Sequence, residues 1–143
     1  MGYIVGSTLG LVTCAFARAV GFDRDRAFYP TVLIVVASYY VLFAVMGGST
    51  RTLVLELVVM SAFVMMAVIG FTHRLWLVVA GIAAHGLMDF FVHARIVENS
   101  GMPAWWPAFC GSFDIAMPAC LVWLSLTGRW PTGRPKVAGD TVR

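Results

Sequence analysis

Five apolar stretches, each long enough to cross a bilayer as a helix, leave this chain one class of fold. They run over roughly residues 3–20, 29–47, 52–72, 75–97 and 104–127. Spanning the hydrocarbon takes about 20 mostly apolar residues. In lipid every backbone N–H and C=O must find its partner within the segment, so each stretch is a helix. Composition agrees: 60% of residues are hydrophobic and 12% charged, about half the charged share of a soluble domain. The expected fold is therefore all-α, an integral membrane bundle of five transmembrane helices filling residues 1–128. The basic, Gly/Pro-rich stretch 129–143 is expected to be a disordered tail.

The first stretch ends in "AFA", which looks like a signal-peptide cleavage site. Its charges follow the apolar run instead of preceding it, so it is expected to stay as an uncleaved helix. Gly2, Gly6, Gly10 and Cys14 recur every four residues along it, a small-residue stripe on which another helix can pack closely. Orientation follows from the basic residues. Arg18, Arg24, Arg26, Arg74, Arg129, Arg134, Lys136 and Arg143 fall on one side, and Arg51 and Arg95 on the other. The positive-inside rule then puts the N-terminus on the exported side and the C-terminus in the cytoplasm of a multi-pass inner (cytoplasmic) membrane protein. The basic residues cap segments and form no patch, which argues against a nucleic-acid partner. The partners expected are the lipid bilayer, a lipophilic small molecule and a second copy of the chain.

Within this apolar sequence, "HGLMDFFVH" is out of place. His85, Asp89 and His93 are spaced four residues apart and share one ridge of the fourth helix. With 1.5 Å of rise per residue, Asp89 lies about 6 Å and His93 about 12 Å from His85 along the axis. Asp114 on the fifth helix reaches the depth of Asp89, because an antiparallel hairpin matches residues equally far from the shared loop. Glu56 comes level with His93, and Tyr39 and Tyr40 lie near the Asp89 level on the second helix. Trp105 and Trp106 fall in the interfacial belt. Acids at membrane depth cost about 2.5 kcal/mol or more each on insertion scales, and they mark function by default. Two buried acids also need a proton, a cation or an imidazolium between them.

The candidate catalytic set is His85, Asp89, His93 and Asp114, with Tyr39, Tyr40, Glu56 and Trp106 as candidate substrate contacts. His85, Asp89, Asp114 and His93 are also the candidate metal ligands. Mixed imidazole and carboxylate donors suit zinc, iron or manganese. No haem is expected within one subunit, since His85 and His93 share a ridge. Glu56 and His93 have an alternative reading, as groups that snorkel to the interface. The cysteines Cys14, Cys110 and Cys120 form no CxxC and are expected to be small core residues, not a disulfide or zinc framework.

These residues give the last 45 or so positions of the bundle a resemblance to a bacterial family of small polytopic membrane proteins of unknown function. Its signature is H-x3-D-x3-H followed by a Gly/Pro loop and C-x3-D, matched here by His85, Asp89, His93, Pro103, Cys110 and Asp114. Where that family has a histidine pair, this chain has Val92 and His93. The resemblance implies a choice of site residues and no reaction. Three functions fit the pattern: a membrane-embedded enzyme of hydrolase or isomerase type on a lipophilic substrate, a proton- or cation-coupled transporter, or a subunit of a larger membrane complex. Paired carboxylates beside a histidine supply the acid and base of the first. Many secondary transporters show repeated halves, and this chain has no internal repeat.

Overall fold

The computed structural model describes residues 1–93 and 98–129, and these form five helices with no strand among them. Helix α1 spans Gly2–Val20, α2 Phe28–Gly47, α3 Thr50–Thr72, α4 Leu75–Met88 and α5 Trp106–Leu126. A 3₁₀ turn, Phe22–Asp25, joins α1 to α2, and α4 runs on into a π-helical turn, Asp89–His93. With that turn included, all five helices are long and apolar enough to cross a membrane. The last residues of the fourth stretch, 94–97, and the expected tail from 130 onward lie outside the described residues.

Local chemistry sets the helix ends. Gly21 and Gly48 close α1 and α2 with positive φ (81° and 69°), a backbone state that costs glycine nothing, and their N–H groups bond to Ala17 and Val45 carbonyls. Ser49 caps α3, its hydroxyl accepting from the Thr52 N–H at 3.3 Å. Pro107 stands in the first turn of α5, where a missing N–H goes unnoticed. Pro118 lies inside α5 and is buried.

The helices pack in the order α1, α5, α4, α3, α2 around an incomplete ring, with α2 also touching α4. The opening lies between α1 and α2. Apolar side chains cover the outside: Ile4, Val12 and Phe16 on α1 and Val54, Val58 and Met65 on α3 are each more than half exposed. Such a surface is at home in hydrocarbon. The core, by contrast, holds Tyr29, Leu33, Tyr40, Ile82, Met117 and Leu121.

In lipid there is little hydrophobic drive for helices to associate, so close packing must do it. The glycine stripe of α1 serves that purpose. A Cβ at Gly6 would overlap the Phe109 carbonyl oxygen and Ser112 Oγ, and one at Gly10 would stand 2.7 Å from the Phe113 carbonyl oxygen. Cys14 continues the stripe and is joined to Cys120 of α5 by a disulfide. This corrects the reading of the cysteines as plain core residues. Matched depth on two helices brought together by glycines puts the two sulfurs in reach, although they are 106 residues apart in sequence.

Candidate functional site

The polar residues of the apolar helices meet where α2, α3, α4 and α5 converge. His85, Asp89, Cys110 and Asp114 are all buried, and one donor atom from each lies within 4.8 Å of the other three. His85 Nδ1 stands between the two aspartates, 2.7 Å from Asp114 Oδ2 and 3.7 Å from Asp89 Oδ2. With the hydrogen on Nδ1, the imidazole donates to Asp114. Cys110 Sγ–H donates to the same oxygen at 3.7 Å. His85 Nε2, Asp89 Oδ2 and Asp114 Oδ1 are buried without a hydrogen-bond partner among the described residues. Buried polar atoms are nearly always paired, so three orphans in one cluster make it a candidate binding site.

Two backbone features build this cluster. Gly86 on α4 lets α5 come so close that a Cβ there would stand 2.9 Å from Asp114 Cβ. The π-helical turn then widens the ladder by a residue, a change frequent at functional sites. It carries His93 away from the four-residue group and aims it at Glu56.

His93 forms the second part of the site. Its Nδ1 lies 3.1 Å from Asp89 Oδ1 and its Nε2 3.1 Å from Glu56 Oε2. Both contacts are hydrogen bonds only if the ring carries two hydrogens or one carboxyl is protonated. The Tyr40 ring stacks on the imidazole, centroids 3.7 Å apart and planes within 9°. Asn99, from the loop before α5, donates to Glu56 Oε1 at 3.4 Å and to the Tyr40 carbonyl at 3.1 Å. Thr52 donates to the Glu98 carbonyl, so this loop is fastened over the helix ends. Glu56, only 2% exposed, is therefore not snorkelling.

Charge shows what the site needs. Asp89, Asp114 and Glu56 are three carboxyls against two imidazoles. With His93 as the imidazolium and His85 neutral, two negative charges remain in a buried space. Even with both rings charged, one remains. An uncompensated buried charge costs several kcal/mol, so the cluster calls for a bound cation or extra protons.

Every residue named from the sequence has a definite place. His85, Asp89 and Asp114 lie in the four-residue group, and His93 and Glu56 are attached to it through Asp89. Tyr40 covers His93. Tyr39 and Trp106, with rings 5.0 Å apart, line an apolar groove on the α1–α2 side. Cys110 and Asn99 are absent from the candidate ligands and contacts that the sequence suggests. Cys110 is nonetheless marked in the sequence as the cysteine of the C-x3-D signature, four residues before Asp114 on the same helical face. For Asn99 the sequence holds no signal, because a loop residue becomes buried only through tertiary packing.

Fold and site together define a multi-pass helical bundle with a buried His/Asp/Cys group that could hold a metal ion. Family models, curated proteins and solved structures gave no match to the chain.

Proposed function

We propose that this chain is a membrane-embedded enzyme acting on a lipophilic substrate through a metal held by His85, Asp89, Cys110 and Asp114. One observation carries the reading: four buried donors converge with negative charge in excess and orphaned polar atoms among them. One imidazole, one thiol and two carboxylates make a four-donor set that suits zinc better than manganese, which prefers oxygen. Zinc would supply Lewis acidity at this point. The residues around it handle protons. Asp89, ionised as a ligand, would hold the His93 ring through Oδ1, and His93 would exchange a proton with Glu56 at the loop end, so acid and base could be restored between turnovers. Hydrolysis and isomerisation both use these parts. The same residues carry the resemblance to the family with the H-x3-D and C-x3-D signature, and membership in it is part of the proposal.

Metal analysis of the purified protein, with mass spectrometry of a membrane lipid extract incubated with it, tests the reading. The expected result is about one zinc per chain, as the four-donor set requires, and conversion of a lipid component that stops on chelation. Protein that binds no metal and converts nothing overturns it. Uptake into proteoliposomes driven by a pH gradient would make the His93–Glu56 chain an ion path and the protein a transporter.

Orientation belongs to the proposal as well. The eight-to-two division of basic residues puts Glu56 and Asn99 at the exported end of an inner-membrane protein. A reporter fused after Thr127 is expected to be active only in the cytoplasm, and activity on the exported side reverses the assignment.

A further inference from the structure

The opening in the helix ring is an apolar groove of about 690 Å³ between α1, α5 and α2. It runs along α1 from Gly2 to Thr13, about 16 Å at helical rise. Its walls are Val5 and Leu9 of α1, Val32 and Val35 of α2, and Phe109 and Phe113 of α5. At one end lie Tyr39, Trp106 and Cys110, and Cys110 is also a member of the buried donor group. Through this one residue the groove touches the polar cluster. The Trp106 Nε1–H at the same end is buried without an acceptor among the described residues.

We infer that the groove holds a single long hydrocarbon chain whose oxygen-bearing head lies at the Trp106–Cys110 end, beside the donor group. This names the substrate class of the proposed enzyme and rests on the reading of the polar cluster as its reaction centre. Two observations select the occupant. The chain's own segment after residue 129 carries Arg134, Lys136, Asp140 and Arg143, which an apolar groove would strip of water at high cost. A hydrocarbon chain carries no such penalty, and its head gives the stranded Trp106 N–H an acceptor.

The test uses the full chain in phospholipid nanodiscs and a palmitic acid bearing a diazirine on its chain, with labelled positions read by mass spectrometry. Label should concentrate on Val5, Leu9, Val32, Val35 and Phe113, and excess unlabelled palmitate should displace it. Val32→Trp, which fills the groove, should cut labelling about tenfold, equal to about 1.4 kcal/mol of lost chain binding. Val58→Trp, on the outer face of α3, should leave it unchanged. Equal labelling of Val58 and Met65, no displacement by palmitate, or cross-linking between two copies through the groove would each overturn the inference. Displacement needs no variant, so a misfolded Val32→Trp does not blunt the test. Metal content read on the same samples separates the two proposals. Metal without groove labelling sinks the groove alone; groove labelling without metal sinks the metal-centre reading and leaves the groove standing.

Discussion

Asp114→Ala should weaken zinc binding and leave a less stable protein. Four ligands of a structural zinc are together worth about 10–16 kcal/mol, so losing one removes about 3 kcal/mol, or about a hundredfold in affinity. The same change takes away the hydrogen-bond acceptor of His85 Nδ1, which is buried. An orphaned buried donor costs a further ~1–3 kcal/mol in the metal-free protein. Zinc titration against a competing chelator measures the first effect, and thermal unfolding with and without chelator the second. Glu56→Gln is the comparison: Glu56 bonds to His93 and Asn99, outside the four-residue group, and its loss should leave the metal in place. If Asp114→Ala keeps wild-type affinity, the four residues are not the metal site.

Gly6→Leu should detach α1 from α5. Any side chain at position 6 drives its Cβ into the Phe109 carbonyl oxygen and Ser112 Oγ, and backbone cannot retreat as a flexible side chain can. Overpacking of this kind costs about 3 kcal/mol or more when helices must separate to relieve it. In lipid no hydrophobic drive opposes that separation. With α1 held off α5 as the chain folds, Cys14 does not meet Cys120 and their disulfide does not form, so both should be free thiols open to alkylation by a membrane-permeant maleimide. Leu11→Ala, on the exposed side of the same helix, should leave the disulfide intact and unreactive. An intact disulfide in Gly6→Leu would mean that the glycine stripe is not what brings α1 onto α5.

Much of this protein is legible in its amino-acid sequence, because lipid is a strict solvent. The five helices follow from apolar length alone, since nothing else satisfies the backbone in hydrocarbon. Helical rise and antiparallel connection put Asp89 beside Asp114 in depth and Glu56 level with His93, and both pairs meet in one cluster. Depth along an axis is a one-dimensional quantity, and the sequence carries it. Rotation about each axis and the order of helices around the ring are not one-dimensional. They depend on which faces can approach, and several weak contacts decide that together: glycines at 6, 10 and 86, and the π-helical turn that re-aims His93. For that reason only the C-x3-D spacing sets Cys110 apart from a core residue until α5 is turned against α4, and Cys14 and Cys120 have no visible reason to pair. The groove, likewise, exists only because α1 packs on α5 and not on α2. The sequence by itself determined which groups lie at which depth; only tertiary packing decided which of them face one another.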